Sequence, residues 1–237
     1  MKKSLQLAKN RGKVSFGWLE SNHSFSFGHY HNPERMQFGA LRVLNDDRVS
    51  PGMGFDTHPH RNMEIISIGL EGALEHKDSM GNNAVIGPGD VQVMSAGTGV
   101  SHSEYNKNSD QPVAFLQIWI IPNRVNVTPR YDQISLNSVI QSNSWNLFLG
   151  PYNQHKGLWI YQDTWFYWGV FETGIRSEYA LKNPEHGLYV FVVEGSVLVA
   201  GEQLGRRDAL EIYEVSTVAF EFTAVCKVLL MEVPLKG

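Results

Sequence analysis

Gly52-Met-Gly-Phe-Asp-Thr-His58-Pro-His60-Arg-Asn-Met-Glu64 is the stretch on which the reading of this chain turns, and Ala96-Gly-Thr-Gly-Val-Ser-His102-Ser-Glu104 is its companion. In an extended strand, residues two apart project from one face, so His58 and His60 present both imidazoles to one point, and His102 and Glu104 repeat the arrangement. The spacing alone is not distinctive. Gly28-His29-Tyr30-His31 shares it without a second cluster attached, and is read as structural. Three imidazoles and one carboxylate, with no cysteine nearby, suit a borderline divalent metal and weigh against a thiolate-rich zinc or iron–sulfur site. Such a site is catalytic if water fills the remaining coordination positions. Pro59 cannot donate a ladder hydrogen bond, which puts its strand at a rim or a bulge.

Outward from these motifs, glycine and proline punctuate short runs rich in Val, Ile, Phe, Tyr and Trp: Phe38 to Leu44, Glu64 to Leu70, Ala114 to Ile121, Leu188 to Val193 and Lys227 to Val233. These read as strands, and the class as mostly β, in sandwiches or barrels. Helical turns are expected only near Asn32-Pro33-Glu34-Arg35 and Thr128-Pro129-Arg130-Tyr131, where an N-cap residue precedes proline. Between Ile121 and Trp145 the chain turns polar, which sets a domain junction near residue 130, with domains 1–130 and 131–237. Glu71-Gly72 followed by Gly89-Asp90 is echoed by Glu194-Gly195 followed by Arg207-Asp208, so two copies of one barrel are expected.

The 237 residues, 42% apolar and 19% charged, fit an ordinary globular protein. The net charge of −4 argues against nucleic acid as a partner. The one cysteine, Cys226, lies in an apolar run and reads as a buried strand thiol in a reducing compartment. The N-terminus lacks the apolar core of a secretory signal, and no stretch approaches a membrane span, so a soluble cytoplasmic protein is expected. Lys2, Lys3, Lys9, Arg11 and Lys13 are read as a solvated basic end.

Residues Phe25 to Pro122, with Phe-Gly-His-Tyr30, Arg35-Met36, Leu41-Arg-Val-Leu-Asn-Asp-Asp47, His58-Pro-His-Arg61, Gly89-Asp90 and Gly99-Val-Ser-His-Ser-Glu104, resemble the pirin family of bicupins. Leu158-Trp-Ile-Tyr-Gln-Asp163 and Leu204-Gly-Arg-Arg-Asp208 extend the resemblance, to its bacterial quercetin 2,3-dioxygenase-like branch, over nearly the whole chain. The resemblance implies an all-β fold of two tandem cupin (double-stranded β-helix) barrels. The first would hold a metal through His58, His60, His102 and Glu104: Fe(II), with Mn, Ni, Cu, Zn and Co as alternatives. Four residues instead of two separate Gly97 from His102, the longer form that the pirin branch uses. Glu104 would be ligand and general base, and Glu64 would support the ligands from outside. The implied activity is cleavage of a flavonol such as quercetin with O2 and release of CO, and the residues bordering the ligand strands, Met53, Phe55, Gln117 and Trp119, are candidates for its pocket. Aligned on its glycine and aspartate turns, the second half sets Leu181 and Asn183 opposite His58 and His60, and Phe220 and Phe222 opposite His102 and Glu104, so no ligand set is expected there. His155 and His186 are read as isolated and exposed. Two other functions fit the motifs: a metal-bearing regulatory module that contacts a protein partner, and a Lewis-acid isomerase or hydrolase, which O2 consumption would separate from the dioxygenase.

Overall fold

Strand after strand in this chain is apolar on both faces, and the computed structural model, which describes residues 1–154 and 157–236, shows why. Each half pairs a seven-stranded sheet with a four-stranded one, and the two large sheets pack on each other. Along the strand Glu64–Glu71, Ile66 and Ile68 enter this shared core while Ile65 turns into the first barrel; along Val113–Ile120, Leu116 and Ile118 do the former and Phe115 the latter. Phe148, Phe166, Tyr189, Phe191, Leu229 and Met231 meet them from the second half. Continuous apolar runs are what two-sided burial demands. No described helix is long and apolar enough to cross a membrane.

The chain ends interleave. Lys2–Gln6 pairs with Ala209–Tyr213 of the second large sheet, whereas Arg130–Ser135 pairs with Asp90–Ser95 and so lies on the edge of the first. The helical turn expected at Thr128–Tyr131 is absent, because the open edge of Asp90–Ser95 offers the backbone a ladder instead. Asn32–Arg35 does form a turn, with Asn32 Oδ1 accepting from the Glu34 N–H at 3.0 Å. Cys226 is fully buried in a strand, and burial pushes its thiol up to about 12.

The internal repeat is physical. Gly72 and Gly195 both turn at positive φ (70° and 82°), and at Gly195 a Cβ would sit 1.9 Å from the Val225 carbonyl oxygen. Asp90 and Asp208 each accept the N–H of the glycine three residues back at 2.9 Å. Strand register then fixes the correspondence. Leu74 pairs with Ile86 and Asn106, Val197 with Leu204 and Phe222. Matching Leu74 to Val197 sets Phe220 at the place of Glu104, Val218 at that of His102, Tyr179 at that of His58 and Leu181 at that of His60. The expected correspondence was two residues off, because offsets counted from the turns do not carry across the loops between strands. His186 is corrected as well: it is buried, 3.2 Å from the buried carboxylate of Glu232. His155 lies outside the described residues.

The barrels differ inside. The second is filled by Leu188, Val190, Val192, Leu210, Val218, Phe220 and other apolar side chains. The first buries Asn45, Asp47, Ser67, His76, Gln92, His102, Glu104 and Gln117. Burying polar groups opposes folding unless they are hydrogen-bonded, so such an interior marks where chemistry is done.

Asp47 gives this polarity a measurable sign. Burial raises its carboxyl to about 7 even though the Ser21 hydroxyl donates to it. The folded chain therefore keeps a proton that the unfolded chain gives up near 3.8, and stability falls as pH rises from there to about 7. Asp47→Asn should remove that part of the fall, so that its urea midpoint exceeds the wild type's at pH 7.5 and the advantage shrinks towards pH 4. Parallel pH profiles for the two proteins would refute this.

Candidate metal centre

Gly54–His60 is the edge strand of the smaller sheet of the first barrel, beside Val100–Asn106 and then Leu74–Asp78. His58 stands directly opposite His102, and Pro59 opposite Ser101, where its missing N–H falls on an edge. Beyond this pair the register shifts: Glu104 faces Phe55, so the edge strand carries one extra residue, the bulge that Pro59 suggested. Gly54 lets the strands close up beside Glu104, since a Cβ there would meet the Glu104 carbonyl oxygen at 2.3 Å.

Among the described residues, two groups of side chains have ligating atoms all within 4.8 Å of one another: His58, His60 and His102, and His76, His102 and Glu104. The four expected residues thus fall into two clusters joined at His102. The three rings of the first group lie 4.4 to 4.9 Å apart, centroid to centroid. Burial, followed by the charge of His58, lowers His60 to about 4; burial, followed by the charges of the neighbouring histidines, lowers His102 to about 2. His60 and His102 are therefore neutral near pH 7, the form in which imidazole binds a cation.

Hydrogen bonds select the nitrogen each ring keeps free. His58 Nδ1 lies 2.7 Å from the Asp56 carbonyl oxygen, to which it must donate, so Nε2 is the nitrogen that can face a cation. His76 Nε2 lies 3.1 Å from Asp78 Oδ2, and His76 Nδ1 lies 3.4 Å from His102 Nδ1. A carboxylate accepts only, so His76 donates to Asp78 from Nε2, accepts from His102 at Nδ1, and leaves His102 Nε2 a bare lone pair. That atom is buried without a partner in the protein. An orphaned acceptor beside two further imidazoles is what a divalent cation would satisfy, so the residues present fit the metal.

Glu104 sits deeper, held by Gln117 Nε2 at 2.7 Å and Ser67 Oγ at 3.2 Å, and burial lifts its carboxyl to about 7. Glu64 does not support this site. It faces the shared core with Ile66 and Ile68, where its carboxylate accepts from Ser95 Oγ at 2.6 Å. Of the pocket candidates, Gln117 touches Glu104, and the Trp119 ring lies 5.0 Å from that of His60. Phe55 packs on Trp18, and Met53 is exposed. His29 and His31 are exposed and belong to neither cluster. Three contributors escape sequence reasoning. Phe27 packs edge-on against Trp119 at 5.2 Å and extends the aromatic wall from an irregular loop; His76 and Asp78 stand on the third strand, at a spacing that refers to neither motif. Their two-residue separation on one strand face was the one available signal.

The pirin profile matches residues 5–120, and the profile of the quercetinase C-terminal cupin domain matches 147–233. Quercetin 2,3-dioxygenase of Escherichia coli (strain K12) is 39% identical over 233 residues, which cover 97% of this chain and 98% of that protein. The crystal structure of YhhW from E. coli superposes with a TM-score of 0.94 at 37% identity, covering 100% of both chains. The structure of bacterial pirin YhhW in complex with nickel(II) gives 0.93 at 37% identity, covering 98% of this chain and 99% of its own. With a relative of this identity along nearly its whole length, and with the architecture of two successive cupin barrels, the chain belongs to the pirin family.

Proposed function

We propose that this protein is a metal-dependent dioxygenase that opens the heterocycle of a flavonol such as quercetin with O2 and releases CO. One observation carries the reading: three imidazoles converge, one of them with a buried, unpartnered nitrogen, in a polar barrel interior next to a buried carboxyl group and an aromatic wall. The E. coli relative named quercetin 2,3-dioxygenase and the nickel(II) complex of bacterial pirin support it.

In this reading His58, His60 and His102 hold the metal, iron(II) in the reducing cytoplasm, and Glu104 completes the set. The bound cation would supply Lewis acidity towards the substrate oxygens and open positions for substrate and O2. The chain supplies the rest. The Glu104 carboxylate takes the proton of the flavonol 3-hydroxyl, and its own elevated proton affinity suits that task near neutral pH. Gln117 and Ser67 aim the carboxylate by donating to its two oxygens. Trp119 and Phe27 provide flat apolar surface for a planar polyphenol, where stacking excludes water and orients the ring to be cleaved. The second barrel, with Tyr179, Leu181, Val218 and Phe220 at the corresponding places, buttresses the first.

Iron-loaded protein given quercetin in air should consume O2 and release CO as the flavonol absorbance falls. Glu104→Gln, which keeps all three imidazoles, should retain metal and lose about 10²- to 10⁴-fold in kcat. His102→Ala should lose both metal and turnover with its circular dichroism unchanged. Iron-loaded protein that takes up no O2 with any flavonol would end this reading.

The Asp78–His76–His102 chain makes a separate claim on affinity. Asp78→Asn reverses the donor order at His76 and frees His102 to take the wrong tautomer. A loss of about 10- to 100-fold in metal affinity is expected from competition with a chromogenic chelator. Unchanged affinity would show that the chain does not set the tautomer.

A further inference from the structure

Lys2, Lys3, Lys9 and Lys13 are exposed, as a solvated basic end requires, and Arg11 alone departs from that reading. Lys2 and Lys3 pair with Glu214 and Glu202, each at 2.6 Å, and Arg11 is buried, 4% exposed, beneath the seam between the barrels. Arg11 Nη2 donates to the Asn22 carbonyl at 2.8 Å, Nη1 lies 3.7 Å from Asp46 Oδ2, and the Nε–H is buried without an acceptor. Over it opens a cavity of about 250 Å³ whose walls include Lys9, Arg11, Lys13, Arg206 and Arg207, with Asp46 as the one carboxylate. Asp46 is shared by Arg11 and Arg207, the latter at 2.8 Å. Among the described residues, Lys9, Lys13 and Arg206 form no ion pair. Five cations against one anion leave a local charge of +4 in a chain of net −4.

Backbone geometry adds a second observation. Arg207 occupies the left-handed region at φ 68°, in the turn whose counterpart in the first half uses Gly89 at φ 83°. A glycine would relieve that conformation. The arginine there instead reaches across the seam, its guanidinium spanning from the Val193 carbonyl to Asp46.

We infer that this seam is a binding site for a phosphoryl dianion. Guanidinium groups match phosphate oxygens with paired N–H donors, ammonium groups at the mouth add charge, and the surplus exceeds what a single carboxylate would neutralise. The cavity is smaller than pockets that enclose a whole organic ligand. It shares Arg206 and Arg207 with an adjoining cleft of about 390 Å³ whose apolar wall includes Leu136, Ile140, Trp168 and Val193, with Glu71, Glu194 and Lys227 also lining it. A phosphate monoester with an apolar or aromatic body would fill both spaces; free phosphate would fill the first alone.

The test uses full-length, metal-loaded protein at pH 7.5 and constant ionic strength, titrated calorimetrically with inorganic phosphate and, separately, with 1-naphthyl phosphate. Saturable 1:1 binding is expected, weakened at least tenfold in the Lys13→Ala/Arg206→Ala variant, both of whose side chains are exposed and can be cut back without disturbing a core. Tighter binding of the ester supports the site and assigns an ester as its ligand. Equal affinities support it and assign free phosphate. Absence of saturable binding by either probe, or binding that the double variant leaves unchanged, overturns the inference.

Discussion

The direct opposition of His58 and His102 across two antiparallel strands is the constraint on which the centre depends. Strand alternation adds His60 to the same face, and the bulge past His102 shifts the next pairing, so that Glu104 stands against Phe55 and not Asp56. A slip of one residue in this pairing would turn His58 and His60 to the outer side of the sheet. The site is therefore as secure as the register. What pins the register is not the edge strand, none of whose residues is fully buried, but its partner Val100–Asn106, whose Val100, His102, Glu104 and Asn106 are all buried.

The same logic separates ligands from positioners. Nothing in an isolated imidazole favours Nε2 over Nδ1 as the metal-binding atom. The choice is made by the Asp56 carbonyl for His58 and by Asp78, through His76, for His102. The first is a backbone group two residues away, available wherever the strand takes this shape. The second requires side chains from another strand, which is why it is the more informative feature and the more fragile one.

Legibility in the sequence followed the range of the interactions. Alternation within a strand is local, so the His-x-His and His-x-Glu faces and the long apolar strands could be read directly. Turn chemistry is local too, and the repeated turn ending in Asp90 and Asp208 proves to be one hydrogen bond made twice. The failures are non-local. Arg11 is buried because Lys2–Gln6 joins a strand from the far end of the chain, and no window around residue 11 contains that information. Glu64 heads an apolar strand next to the His motif, yet alternation sends it to the opposite face from Ser67. The second-barrel positions were displaced by two residues because loop lengths, unlike strand periods, obey no rule.

The second barrel explains how the first can be so polar. Burying polar side chains opposes folding unless each finds a partner, and the first barrel buries His23, Asn45, Gln92 and His102. A lone barrel would have to offset these with an interior it has already given to Asp47, Ser67, His76 and Glu104. The outer faces of Glu64–Glu71 and Val113–Ile120 provide the compensation, because a second large sheet covers them with Phe148, Phe166, Phe191 and Leu229, and full burial of each such side chain stabilises by about 1.5–3 kcal/mol. The largest apolar cluster of the first half thus lies between the barrels, with only the smaller groups around Phe115 and Ile65 inside its own. The second barrel has an apolar filling and supplies the covering sheet, and under that cover the first holds groups that fold badly and react well.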